Sequence, residues 1–269
     1  MEIRLDGEVA VVTGGGGVLC SAMAKALAGA GAAVAVLDAR ADAARATASA
    51  IAEAGGRAIA VPADVLDLAS LGAARETVEG ELGPASILVN GAGGNRKEAT
   101  VTPETTFFDL PAEAVRSVFE LNFLGTFLPC QVFGRAMAAR KRGSIVNISS
   151  MTAFRPLTNV VGYSAAKAAV SNFTQWLAVY MSREHAPEIR VNAIAPGFIL
   201  TEQNRYLLVE PSGELTERGR QVVAHTPMAR FGKDADLVGA LLWLVSPHAA
   251  FVHGAVIPID GGFHAYSGV

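Results

Sequence analysis

Tyr163 and Lys167 stand four residues apart in Tyr163-Ser164-Ala165-Ala166-Lys167-Ala168-Ala169-Val170, a stretch whose composition reads as helix. That spacing sets a phenol and an ammonium one turn apart on the same face. A free tyrosine keeps its proton up to a pKa of about 10, so it is a poor base at neutral pH. A neighbouring positive charge favours the phenolate and lowers that value. Lowering it by roughly 3 units takes about 4 kcal/mol, which one partly desolvated ammonium can largely supply. Such a pair can exchange a proton with a reacting oxygen. The same pair is also common on solvated helix faces, so the rest of the chain decides.

Thr13-Gly14-Gly15-Gly16-Gly17 follows the β-branched run Val9-Ala10-Val11-Val12 and precedes a small-residue helix. Glycines between a strand and a helix let the backbone approach a pyrophosphate, whose charge meets the helix N-terminus. A plain tight turn would look the same. Asp38 closes the next strand, Val34-Ala35-Val36-Leu37. A carboxylate there accepts hydrogen bonds from the adenosine ribose hydroxyls and repels a 2′-phosphate, which favours NAD over NADP. Arg40 softens that preference, and a helix cap is the plainer reading of Asp38. Asp64-Val65 and Asn90-Gly91-Ala92-Gly93 end the following two strands, where a dinucleotide would cross the sheet edge. Asp64 suits the adenine amino group or a cap, and the glycines suit a cofactor's backbone approach or a turn.

The elements that must position these residues alternate along the chain. Strand-like runs occur at 9–12, 34–37, 57–62, 87–90, 144–148, 190–194 and 255–259. Helical stretches lie between them at about 21–29, 41–54, 71–82, 113–140 and 163–184. Strands that are apolar throughout, separated by helices, predict an α/β fold with a doubly wound parallel sheet and helices on both faces. Residues 1–269 read as a single Rossmann-type domain with ligands at the strand C-terminal ends. The stretch 198–230 lacks strand periodicity and reads as a substrate loop or helical lid.

Hydrophobic residues make up 51% of the chain and charged ones 17%, as expected where central strands are buried on both faces. A net charge of −3 offers no electrostatic case for nucleic acid or an anionic membrane. Cys20 and Cys130 are the two cysteines and imply no disulfide framework. The five histidines form no close ligand pairs, so no metal is expected. Without a leader or a spanning apolar run, the sequence reads as cytoplasmic.

Taken in order, Thr13-Gly14, Asp64, Asn90-Gly91-Ala92-Gly93, Asn122, Ser149-Ser150, Tyr163-x-x-x-Lys167 and Pro196-Gly197 resemble the short-chain dehydrogenase/reductase family over nearly the whole chain. The resemblance implies a catalytic set of Asn122, Ser150, Tyr163 and Lys167. Tyr163 would be the base, and Lys167 would lower its pKa and hold the nicotinamide ribose. Ser150 would donate to the reacting oxygen. Asn122 would position a water linking Lys167 to solvent, or else bond a backbone carbonyl inside its helix. The implied cofactor contacts are Thr13, Gly14, Gly17, Val18, Leu19, Asp38, Asp64, Val65, Asn90, Ala92, Gly93, Tyr163, Lys167, Pro196, Gly197, Ile199 and Thr201. Two departures stand out. The family's glycines fall at positions held here by Val18 and Cys20, and Asn90-Gly91 replaces the more usual paired asparagines. Val18 cannot take the torsions open to glycine, which puts the pyrophosphate geometry in question.

At finer grain, Gly93-Gly94-Asn95, Phe154-Arg155-Pro156-Leu157-Thr158, Asn172 to Ala178, Thr201-Glu202-Gln203-Asn204-Arg205 and Asp260-Gly261-Gly262-Phe263 resemble the family's D-mannonate oxidoreductase, or fructuronate reductase, branch. That implies a sugar-acid substrate, whose carboxylate a guanidinium could bind bidentately. Arg96, Arg155 and Arg205 are candidates, with Asn95 and Gln203 for hydroxyls and Ser150 and Tyr163 at the reacting carbon. A homotetramer built on two-fold axes is implied as well. Two other readings stay open: a dehydrogenase of a neutral polyol or other carbonyl compound, and a dinucleotide-sensing module without turnover.

Overall fold

The computed structural model describes residues 2–268, apart from the side chain of Gln203. Among them, seven strands form one parallel sheet: β1 (Val9–Thr13), β2 (Ala33–Asp38), β3 (Arg57–Pro62), β4 (Ile87–Asn90), β5 (Gly143–Ile148), β6 (Ile189–Pro196) and β7 (Val256–Ile259). Their spatial order is β3-β2-β1-β4-β5-β6-β7. The chain therefore winds one way from β1 to β3 and the other way from β4 onward. The crevice where the order reverses lies between the C-terminal ends of β1 and β4, and those ends carry Thr13 and Asn90 as register partners.

The strands are apolar on both sides because both sides are covered. Ala10 and Val12 of β1 point into one cluster with Met23, Leu27, Ile51, Leu237 and Leu244. Val9 and Val11 point into the other with Leu71, Phe133, Met137, Phe173 and Met181. Alternate residues thus serve opposite layers. The first layer contains α1 (Val18–Gly29), α2 (Ala41–Glu53) and α9 (Ala235–Val245). The second contains α3 (Leu68–Glu81), α5 (Gly125–Arg140) and α6 (Val161–Glu184). No described helix is long and apolar enough to cross a membrane.

Three features go beyond the sequence expectation. The long helix expected over 113–140 is α4 (Ala112–Phe119), a π-helical turn (Glu120–Leu124) and then α5. Helix α9 was not anticipated; its run Leu237-Val238-Gly239-Ala240-Leu241-Leu242-Trp243-Leu244-Val245 lacks a polar face and so shows no period. Residues 198–230 carry two helices, α7 (Glu202–Leu208) and α8 (Glu217–His225). Bridges Ile199–Gly232 and Val209–Leu215 hold this segment. Leu208, Val209 and Val222 form a small apolar cluster within it, apart from the two main ones.

Candidate active site

Ser150 follows β5 and opens a 3-10 turn over Met151–Ala153, with its Oγ accepting from Thr152 N at 3.2 Å. Tyr163 lies in the first turn of α6, half-buried. Burial pushes its phenol pKa up, and a hydrogen bond with Ser150 pulls in the opposite direction. Lys167, one turn on, is 4% exposed. Its Nζ donates to Ile148 O at 2.8 Å and lies 5.6 Å from the Tyr163 ring centre. Burial holds this lysine down at about 8, against the opposing effect of Cys20. The expected lowering of the tyrosine pKa by Lys167 is therefore corrected: the phenol pKa is raised. The ammonium is turned to a strand-end carbonyl, and desolvation outweighs the hydrogen bond that favours the phenolate.

Asn122 is fully buried in the π-turn. Its amide donates to Val118 O and Gly94 O, both at 2.7 Å, and its Oδ1 accepts from Gly94 N at 3.1 Å. A π-turn displaces a helical carbonyl from its usual partner, and here the side chain takes Val118 O instead. The same side chain pins the loop after β4 close to Lys167: a Cβ at Gly93 would be 2.6 Å from Asn122 Oδ1 and 3.3 Å from Lys167 Nζ. Ser149, by contrast, is spent on Lys167 O and Ser171 Oγ.

On the other side of the crevice, Thr13 Oγ1 accepts from Gly91 N and Ala92 N at 3.1 and 3.3 Å, joining the two turns. Gly14 has φ +64°, and a Cβ there would come within 2.9 Å of the Ala92 backbone. Only glycine suits that corner. Gly17 caps α1 without a side-chain cap, and the first turn of α1 has no acidic residue, so its leading N–H groups and positive dipole end suit a diphosphate. Val18 and Leu19 occupy the first helical positions. No left-handed torsion is required at Val18, so its departure from glycine leaves the turn unstrained. Buried Asp38 accepts from Gly16 N at 3.0 Å and Arg40 N at 2.9 Å, with Arg40 Nε at 3.4 Å. Arg40, not Asp38, is the N-cap residue of α2.

The second departure explains the first. A Cβ on Gly91 would overlap the Cys20 thiol. The sulfur from α1 fills the space that a side chain at position 91 would need. Cys20 and Gly91 are thus one exchange of volume across the crevice, although each looks like a separate irregularity in sequence. The buried thiol is pushed up to about 12, chiefly by burial, so it packs as a small apolar group. Introducing Gly91→Ala should cost about 1–3 kcal/mol by overpacking. Thr13 O stands 3.1 Å away on the other side, so the backbone cannot give. Adding Cys20→Ala should recover part of that loss. Denaturant unfolding of both single variants and the double variant measures the coupling, and strictly additive losses would refute the exchange.

The other expected contact residues are positioned as follows. Asn90 is buried and turns its amide into the sheet, donating to Asn147 Oδ1 at 2.9 Å and Cys130 Sγ at 3.1 Å. Asp64 is exposed, and its Oδ1 accepts from Leu66 N; Val65 is buried against Gly125. Pro196 ends β6, and Gly197 N donates to Ile259 O at 3.0 Å. Ile199 is buried, and Thr201 caps α7 in a reciprocal box with Asn204, whose amide is consumed there. Asn95 is exposed and donates to Thr100 Oγ1 at 2.8 Å. Arg96 is exposed on the loop after β4, Arg205 is exposed on α7, and Arg155 donates to Tyr266 O at 3.2 Å. The Gln203 side chain lies outside the described residues.

A sequence model of the short chain dehydrogenases matches residues 8–210. The chain is 48% identical over 275 residues to an uncharacterized oxidoreductase, UxuB, of Bacillus subtilis, spanning 99% of this chain and 98% of that one. It is 34% identical over 261 residues to the 7alpha-hydroxysteroid dehydrogenase of Escherichia coli K12, spanning 97% and 96% of the two. A crystal structure from Haemophilus influenzae, described as a candidate D-mannonate oxidoreductase with bound NAD, superposes with a TM-score of 0.94 at 47% identity. That match covers 99% of this chain and 98% of the other.

Proposed function

The chain belongs to the short-chain dehydrogenase/reductase family, and from that premise we propose an NAD-dependent oxidoreductase acting on a sugar acid of the D-mannonate/D-fructuronate type. The observation that carries the reading is the convergence of Ser150, Tyr163 and Lys167 beside the glycine turn at the β1/β4 crevice. A nicotinamide, when bound, supplies the hydride acceptor or donor. Tyr163 Oη takes the proton of the substrate hydroxyl during oxidation and returns it during reduction. Ser150 Oγ donates to the reacting oxygen and steadies its developing charge. Lys167 holds the ribose. Asn122, with its amide already engaged by Val118 and Gly94, braces the loop that borders Lys167; this arrangement favours the brace over a water relay.

The uncapped start of α1 would hold the diphosphate, and the carboxylate of Asp38 supports NAD over NADP. The segment 198–230 serves as the substrate lid. Likeness to the Haemophilus influenzae protein supports the sugar-acid branch, as do the exposed guanidiniums of Arg96 and Arg205. Arg155 speaks less directly, because one of its nitrogens is given to Tyr266 O. That bond also keeps a neutral polyol open as the second reading. A non-catalytic sensor would need no general base, so the retained serine, tyrosine and lysine argue against it. Exposed Trp176, Val179 and Tyr180 along α6 support assembly into a homotetramer, and we assign the protein to the cytoplasm.

A panel of aldonates, uronates and polyols, followed by NADH absorbance with NAD and NADP in both directions, tests the proposal. The highest kcat/KM should fall to an acid of the mannonate type with NAD. A neutral polyol preferred over every acid would exclude the sugar-acid reading.

A further inference from the structure

The segment after β7 packs against two elements that border this site. Ile259 of β7 pairs with Pro196, and a Cβ on Gly197 would lie 2.6 Å from Asp260 Cα. Asp260 is therefore packed directly against the Pro196-Gly197 turn. Its side chain is 4% exposed, and it accepts from Gly262 N at 2.9 Å, from His264 N at 2.8 Å and from His264 Nδ1 at 2.7 Å. A carboxylate at Nδ1 keeps a proton on that nitrogen, so in the neutral imidazole Nε2 carries the lone pair. No described residue bonds Nε2, and the imidazole side chain is 27% exposed. Its ring lies over Phe154, with centres 5.1 Å apart and planes at 36°. Phe154 immediately follows the 3-10 turn opened by Ser150.

The imidazole thus stands between the strand end bearing Gly197 and the turn bearing Ser150. The neighbouring tail residues reach the lid: Phe263 meets Phe198 at 5.2 Å, and Tyr266 meets His225 at 5.1 Å. A histidine locked in one tautomer, with an open acceptor at such a position, is suited to a hydroxyl group of a ligand.

We propose that Asp260 and His264 form a specificity-determining pair for a polyhydroxylated substrate. His264 Nε2 accepts a hydrogen bond from a substrate hydroxyl remote from the reacting carbon, and Asp260 is the positioning residue that fixes the tautomer. The inference deepens the proposed sugar-acid reading and rests on it for the substrate's hydroxyl-rich character. His264→Ala removes the acceptor. Asp260→Asn can set an NH₂ against Nδ1, moving the proton to Nε2 and converting the acceptor into a donor.

Steady-state kinetics of both variants and the wild type on the best substrate, and on its monodeoxy analogues, provide the test. Both variants should raise KM by about 10-fold or more with a smaller change in kcat, the size of one lost hydrogen bond. One monodeoxy analogue should be turned over equally by wild type and His264→Ala, because the partner hydroxyl is already missing. Wild-type KM values in His264→Ala would overturn the pair, as would equal losses with every analogue. Loss of NADH binding by both variants, read by fluorescence, would assign the pair a scaffold role and overturn it too. If the wild type uses polyols and no acid, the sugar-acid reading fails, and the same comparison on monodeoxy polyols still decides the pair.

Discussion

Tyr163→Phe is expected to lower kcat/KM by about 10²–10⁴-fold, the usual contribution of a positioned general acid or base. The substitution keeps the ring and its place in the first turn of α6 and deletes only the oxygen. Ser150 retains its bond from Thr152 N, so the turn after β5 is not dismantled. NADH binding should persist, since the glycine turn, Asp38 and Lys167 are untouched. Steady-state rates in both directions, alongside a fluorescence titration of NADH, separate chemistry from binding. Unchanged turnover in the variant would exclude Tyr163 as the proton-transfer group.

The second large effect concerns stability. Burial moves Lys167 from the ordinary 10.5 to about 8. Below pH 8 the ammonium is charged in both folded and unfolded chains, and the folded state carries the desolvation penalty in full. Between about 8 and 10.5 the folded protein releases a proton that the unfolded chain keeps. Stability therefore rises with pH across that window, by about 3 kcal/mol in total. Other groups titrate there as well, so the informative quantity is the difference between wild type and Lys167→Met. Urea unfolding from pH 7 to 10.5 without cofactor should show the wild type gaining on the variant as pH rises. A difference that stays flat would mean the ammonium is not desolvated as its surroundings imply.

These two residues illustrate what a linear reading can and cannot reach. The four-residue spacing of Tyr163 and Lys167 is a helical period, so their shared face was legible directly. The β-branched runs were legible for the same local reason; strands β3 and β4 occupy the expected residues. The direction of the tyrosine shift was not legible. It depends on how much water the surrounding layers remove, and only the packed structure decides that. Cys20 and Gly91 meet because β1 and β4 are neighbours in the sheet, a pairing that spacing along the chain does not encode. Asn122 was singled out, but its π-turn was not, since π-turns carry no periodic mark. Helix α9 escapes because its run from Leu237 to Val245 is apolar on every face and has no polar stripe to betray its pitch.

The satellite cluster of Leu208, Val209 and Val222 has an evolutionary consequence. Because this segment has apolar packing of its own, mutations in the proposed lid would reshape what enters the mouth with little added load on the sheet layers. On that reading selectivity and foldability would be partly uncoupled, so that a lineage could change diet by drift in one cassette without first acquiring a stabilising reserve elsewhere.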